Sequence, residues 1–355
     1  MRVLFLTLYP ETAASPRYRV AQFLPYLRAH GVACTVVSPL TASEFEVLTG
    51  PNRAHRPFWY HVRETVRRVV QILSAADYDI VFVQKAIMTA YVRGLPELLR
   101  KRARRLVYDI DDAVHLEPPH PLGTPWNVFE DRDQIYKICS QADLVLAGNA
   151  WLTTMAEEHC QNTELFPTVV DTHRFVPSEK EPRSFRIGWI GNASTTICLQ
   201  PAVEALAQVP EAKICLVGGD PSRIDWTGHV APNIEVRPWT YENEVNEIHR
   251  FTVGIMPQPD APWMLGKCAL KALQYMACGI PCVASPVGAI CDIIRHGENG
   301  LFAETTQEWL DAFDRLRNPA LRQLLAEAAR ATVEENFSLT QAAPRLLDLL
   351  NEING

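Results

Sequence analysis

The chain has 355 residues, of which 47% are hydrophobic and 21% charged, with a formal net charge of -7. That length predicts two domains, and the acidic balance excludes a general nucleic-acid binder, whose surface would be basic overall. Nine cysteines without CxxC or Cys/His zinc spacing predict a reducing, cytoplasmic setting and no disulfide framework.

The opening stretch MRVLFLTLYPETAASP imitates a signal peptide, but its apolar run is short and carries one Arg, so it reads as a buried first strand. No segment approaches the roughly 20 apolar residues that span a bilayer. Strand patterns recur at 3–9, 33–39, 79–85, 105–111, 143–149 and 164–170, with helical patterns at 18–30, 59–75, 87–103 and 126–141 between them. This alternation predicts a parallel sheet with helices on both faces, over residues 1–170. Residues 171–185 (DTHRFVPSEKEPRSF) are polar, broken by Pro177 and Pro182, and read as a hinge. Strand patterns restart at 186–191, 212–219, 234–239, 251–257, 280–285 and 300–303, giving a second domain over 186–335 and a closing helix at 336–355 that packs back on the first. The expected fold is α/β: two doubly wound, Rossmann-like domains facing across a cleft, with ligands at the carboxyl ends of the strands.

In the first domain SPRYRV (15–20) offers Arg17 and Arg19, whose fork geometry suits either an anionic group or an ion pair with Glu11 or the aspartates of 109–112. YDIDDAV (108–114) looks like an oxygen-ligand metal motif. Asp109 and Asp111 would nevertheless project to opposite faces of a continuing strand. Asp109, Asp111 and Asp112 are therefore read as acceptor-side residues, for hydroxyls or for an arginine, and no metal site is assigned. RKRARR (100–105) and the arginines of HVRETVRRVVQIL (61–73) form basic faces, either solvated or in peripheral contact with anionic lipid headgroups.

In the second domain WIGNASTT (189–196) follows a strand and opens a helix, with Ser194 or Thr195 as the expected cap. Gly191, Asn192, Ser194 and Thr195 are either a routine helix start or half of a phosphate cradle. Trp239 and Tyr241 follow the strand IEVRPW as neighbours for a nucleotide base. GKCALKALQYMACGIPCVAS (266–285) reads as a helix with Lys267, Lys271, Gln274 and Cys278 in one stripe, opposite Leu265, Ala269, Ala272, Leu273 and Met276. No acidic residue lies between Asp260 and Asp292, so neither lysine has a helical partner. Lys267 is expected at the helix's amino end, where an anion is favoured, and Gly266 admits close approach of a ligand. The stripe is either an anion site for a nucleoside diphosphate or a solvated face.

That segment, with the following IIRHGENGLF, is similar to the donor-binding signature of glycosyltransferase family 4, the group 1 glycosyltransferases of GT-B fold. PTVVDTHRFVP resembles the stretch that ends the family's first domain, and FTVGIMPQPD sits where the family has a strand ending in leucine, proline, serine. The likeness covers 163–305 and is architectural over the first domain. It implies a retaining, metal-independent hexosyltransferase. Such an enzyme moves a sugar from a nucleoside diphosphate donor to a hydroxyl of a carbohydrate or lipid-linked acceptor, in polysaccharide or glycolipid synthesis, with no cofactor beyond the donor. Family members commonly carry two glutamates with seven residues between. Here the second position is Gln274, whose amide can still bond a ribose, and the first is Gly266. Asp260, in PQPDAPW, is the nearby acid able to replace it, as a catalytic residue beside Lys267. The family's histidine before the first aspartate is Tyr108 here. Two rivals stay open: a nucleotide-sugar epimerase of the same fold, and a nucleotide-sugar-binding protein without turnover.

Overall fold

The structure, a computed structural model, describes residues 1–49, 58–88, 92–116, 131, 133–178, 184–209 and 211–355. Parts of the predicted helices 87–103 and 126–141 and of the hinge 171–185 lie outside the described residues. Two compact units emerge. The first comprises Met1–Thr168, Leu265–Cys268 and Ala342–Gly355, and the second Val169–Met264 and Ala269–Gln341.

In the first unit β1 (Arg2–Thr7), β2 (Ala33–Val37), β3 (Ile80–Gln84), β4 (Arg105–Ile110), β5 (Leu144–Ala147) and β6 (Thr163–Leu165) form one parallel sheet in the order β2-β1-β3-β4-β5-β6. The central strands read as unbroken apolar runs because helices cover both faces, and β3 is buried along its whole length. Connections from β1 run in two directions, to β2 on one side and β3 on the other. A reversal of this kind, at the carboxyl ends of the strands, is where open α/β sheets bind ligands. The helical pattern 18–30 is divided into Ala14–Arg19, a 3-10 turn Ala21–Phe23, and Leu24–Ala29. Val20 leaves helical geometry (φ -130, ψ -63), and Pro25 lacks the N–H that would continue the ladder. The helix Leu95–Arg102 starts later than its pattern because Gly94 stands at φ 82 before it.

In the second unit β7 (Arg186–Ile190), β8 (Lys213–Val217), β9 (Ile234–Arg237), β10 (Val253–Met256), β11 (Cys282–Ala284) and β12 (Leu301–Phe302) are ordered β12-β11-β10-β7-β8-β9. The order reverses between β7 and β10. Trp189, Leu199, Trp309 and Phe313 pack together in the core on this sheet. Thr305 and Glu308 close a reciprocal capping box on the helix Thr306–Arg315. The helices Pro319–Asn336 and Leu339–Asn354 follow. From Ala342 onward the last helix belongs to the first unit, where Arg345 pairs with Glu164 at 2.8 Å. Among the described residues no helix is long and apolar enough to cross a membrane.

Candidate functional site

Each unit gathers polar side chains at the carboxyl edge of its sheet. In the first, Arg19 emerges from the helix after β1 and donates through Nε to both oxygens of Asp109 at 3.1 Å, and through Nη1 to the carbonyl of Phe166 at 2.8 Å. The two side chains are 2% and 1% exposed. Burial pushes the Asp109 carboxyl up to about 6, against the pull of Arg19. Of the two readings of Arg19, the geometry realises the ion pair. Asp109 accordingly meets an arginine of its own unit. Arg17 stays half-exposed and donates to the carbonyl of Thr12 at 2.6 Å.

β4 ends at Ile110, so the expectation that Asp109 and Asp111 diverge on a continuing strand does not apply. Asp111 accepts from the Ser15 hydroxyl and from Gln84 Nε2, the latter at 3.1 Å. Asp112 lies between two ammonium groups, Lys85 Nζ at 2.8 Å and Lys267 Nζ at 2.8 Å. Burial opposes its charge, but Lys85 and Lys267 together hold this carboxyl well below the usual carboxylate range. Lys85, absent from the sequence reading, stands at φ 72. Its N–H donates to Asp109 O and its carbonyl accepts from Tyr108 Oη, both at 2.8 Å. Strained backbone pinned on both sides in this way concentrates at working sites.

The segment around Lys267 differs from its expected geometry. A 3-10 turn covers Pro262–Gly266, the α-helix runs Leu270–Ala277, and Ala269 before it is left-handed (φ 52). Lys267 therefore precedes the helix and does not share a helical stripe with Lys271. Its segment, Leu265–Cys268, belongs to the first unit, where Asn149 Nδ2 donates to Leu265 O at 2.9 Å and to Lys267 O at 3.2 Å. A Cβ on Gly266 would stand 2.4 Å from the nitrogen of Ala113, so the bare backbone there is required by packing on Ala113. The pairing with Asp112 also supplies the acidic partner that local spacing withheld from Lys267.

In the second unit β7 and β10 pair only at Val253↔Ile187 and Gly254↔Gly188. Beyond that point the Tyr275 hydroxyl accepts from Ile190 N at 3.0 Å and reaches Ile255 O at 3.5 Å. Its ring lies where a Cβ on Gly254 would be, 2.4 Å away. Tyr275 thereby satisfies the two strands at the point of reversal. Just past β7, Asn192 caps the following 3-10 helix: its Oδ1 accepts from Thr195 N at 3.0 Å and from Ser194 Oγ at 2.7 Å, and Thr195 Oγ1 accepts from Asn192 N at 3.3 Å. The cap is thus Asn192, not Ser194 or Thr195, because its extended backbone turns the side chain over the first amides. Gly191 packs on the Trp189 ring, and Lys271 Nζ lies over that ring at 5.4 Å.

Gln274 is 3% exposed, and Cys278 is buried as well, so the Leu270–Ala277 helix is covered nearly all round. Gln274 Nε2 donates to Glu244 Oε1 at 2.9 Å, as does Trp239 Nε1 at 3.1 Å, while Arg174 Nη1 donates to Glu244 Oε2 at 2.8 Å. Arg174 also covers the Tyr241 ring at 3.9 Å. The sequence reading passed over Glu244, because in TYENEVNE it looks like one acid of a solvated face. Asp260 is exposed in a bend after β10. The basic runs of the first unit meet acids: Arg100 and Arg105 approach Asp143, Arg104 approaches Asp79, and Arg63 and Arg67 hold Glu44.

Residues 184–318 match the family described as glycosyl transferases group 1. The N-acetyl-alpha-D-glucosaminyl L-malate synthase of Bacillus anthracis is 38% identical over 71 residues, covering 19% of this chain and 19% of that protein. The D-inositol 3-phosphate glycosyltransferase of Acidothermus cellulolyticus is 26% identical over 235 residues, covering 55% and 51%. The matched stretches thus span 19% to 51% of the length of these relatives. In fold, the chain superposes on Anabaena HepE in complex with UDP-glucose with a TM-score of 0.72 at 16% identity, over 99% of this chain and 100% of that one. Sucrose-phosphate synthase from Thermosynechococcus elongatus gives 0.72 at 16% identity, over 99% and 98%. Two parallel six-stranded sheets with interleaved helices are the fold of these GT-B proteins.

Proposed function

We propose that this chain, which carries a group 1 glycosyltransferase segment over residues 184–318 within a GT-B fold, moves a sugar from a nucleoside diphosphate donor to an acceptor hydroxyl, with retention and without a metal ion. The observation that carries the reading is the reversal of strand order at β7/β10, which lies inside the matched segment and is followed by the Asn192 cap and by the helix carrying Lys271 and Gln274. Lys271 and the amides at the Asn192-capped helix start offer positive potential to a diphosphate. Gln274 and Trp239 both donate to Glu244, and the three suit a ribose and base. Gly191, Ser194 and Thr195 shape the turn between them.

Departure of a diphosphate requires charge stabilisation more than a strong base, which is the contribution assigned to Lys271 and the support for metal-independent turnover, while Lys267 is paired with Asp112 within the first unit. Asp260, exposed after β10, is assigned to the donor sugar. The acceptor side is assigned to the first unit, with Arg17, Asp111 and Asp112 at its edge and Arg19 and Asp109 as their support. Since Anabaena HepE is described with UDP-glucose, uridine diphosphate sugars are the first donors to test.

The test incubates the full chain with UDP-, GDP- and ADP-sugars, with and without mixed carbohydrate and lipid-linked acceptors, in EDTA. The expected result is nucleoside diphosphate release that depends on acceptor, with the donor's anomeric configuration kept in the product. Interconversion of donor sugars without acceptor would establish an epimerase instead, and nucleotide binding without consumption would establish a binding protein.

A further inference from the structure

At the edge of the second sheet one carboxylate decides which way a neighbouring amide is turned. Glu244, the first residue of the short helix Glu244–Ile248, is 3% exposed. A carboxylate so far from water needs donors on both oxygens. Oε1 accepts from the Trp239 indole at 3.1 Å, and Oε2 accepts from Arg174 Nη1 at 2.8 Å. Indole and guanidinium nitrogens can only donate, so both oxygens of Glu244 act as acceptors. Gln274 is the third partner, and its amide has one donor end and one acceptor end. Against such a carboxylate only Nε2 can bond, as it does to Oε1 at 2.9 Å. The planar amide therefore directs its carbonyl oxygen away from Glu244.

Arg174 is itself held in place. Its guanidinium covers the Tyr241 ring at 3.9 Å, and its Nη2 donates to the carbonyl of Tyr241. Arg330, on the helix Pro319–Asn336, donates through Nη2 to the carbonyl of Thr172 at 3.0 Å. Its Nη1 donates to the carbonyl of Phe175, and to that of Ala277 at 2.6 Å. Thr172 and Phe175 lie on either side of Arg174, and Ala277 ends the helix that carries Gln274. One arginine thus ties the backbone around Arg174 to that helix, while Arg174 reaches Gln274 on the same helix through Glu244. All of these residues belong to the second unit.

We propose that Glu244 and Arg174 are positioning residues for nucleotide recognition, holding the Gln274 amide so that its Oε1 accepts a hydrogen bond donated by a ribose hydroxyl. The inference rests on the proposed transferase reading for the nucleotide. It adds that the preference for a group that donates at this position is set one residue behind the contact, by a carboxylate and by an arginine of the stretch that opens the second unit.

Calorimetric titration of the full chain with UDP, GDP and ADP, and with their 2′-fluoro and 3′-fluoro forms, tests it. Fluorine in place of the hydroxyl cannot donate. Wild type is expected to bind one fluoro form about tenfold or more weakly than its parent, because the fixed carbonyl is then left without a donor. In Glu244→Gln the new side chain supplies an NH2 group that favours the opposite turn of the Gln274 amide, and the preference is expected to shrink to about threefold or less. Arg174→Met is expected to shrink it likewise. A purely structural role would weaken parent and fluoro forms alike, so an unchanged preference in both variants overturns the proposal. Nucleotide binding by wild type without any hydroxyl preference overturns it too and leaves the donor reading intact, whereas binding of none of the three nucleotides removes both. Should the variants not fold, a wild-type crystal with the tightest nucleotide decides: a ribose hydroxyl bonded to Gln274 Oε1 supports the proposal, and a ribose bonded to Glu244 or to neither residue overturns it.

Discussion

At the edge of the first sheet Arg19, Asp109, Lys85, Asp112 and Lys267 are joined in buried or half-buried ion pairs, whereas at the edge of the second one carboxylate, Glu244, accepts from an arginine, an indole and an amide, and a tyrosine hydroxyl closes the strand reversal. Both edges occupy the same topological place, the carboxyl ends of strands beside a reversal of order. They differ in how the polar groups are compensated. Full ion pairs position side chains rigidly but depend on protonation and on both partners being present. The second edge includes one such pair, Arg174 to Glu244, and otherwise relies on backbone amides, ring faces and neutral donors, with Lys271 half-buried and Asp260 exposed. The first edge is held by several coupled ion pairs, the second by one carboxylate shared among three donors.

The comparison is tested most severely at the Arg19–Asp109 pair. Asp109→Ala leaves a buried guanidinium without its partner and is expected to cost about 3 to 5 kcal/mol in urea unfolding. A loss under 1 kcal/mol would mean the pair is not the support described here. Next in size is Asp260→Asn, which should leave the unfolding curve within about 0.5 kcal/mol, since the group is exposed, yet lower turnover about 100-fold, as loss of one transition-state contact does. Full turnover by the folded variant would remove Asp260 from the chemistry. Tyr275→Phe sharpens the picture of the second edge. It strands the amide of Ile190 and is expected to cost about 1 to 3 kcal/mol, with faster hydrogen exchange at that amide. Unchanged exchange would show the hydroxyl to be dispensable at the reversal.

The smallest effect is a pH dependence carried by Asp112. Its folded pKa lies below the ordinary value, so its contribution to stability is complete above about pH 5 and is lost as pH falls through the lowered folded value. Lys85 is shifted upward, burial opposing its charge and Asp112 outweighing that, so its contribution persists until pH rises past about 10. Melting temperature measured from pH 7 to pH 2 should therefore fall less steeply for Asp112→Asn than for wild type. Identical acid slopes would indicate that the two lysines do not hold this carboxylate ionised.

The alternation of apolar strand runs with helical periods determined the α/β class and the parallel sheets, because each depends on local pattern and on a side chain's need to be buried. The runs at 105–111 and 186–191 correspond closely to β4 and β7. Strand order was not legible in this way, since nothing local distinguishes β2-β1-β3 from the reversal at β7 and β10. Lys267 shows the limit most plainly. Periodicity carried the helix back through it, but Ala269 adopts a left-handed backbone, and Lys267 meets Asp112, 155 residues away in sequence. Glu244 and Gln274 are brought together across 30 residues in the same manner. Partnerships at such separations exist only once two sheets have been assembled and have excluded water from the groups concerned, so the charges of these sites were readable from the chain and their matching was decided by the tertiary structure.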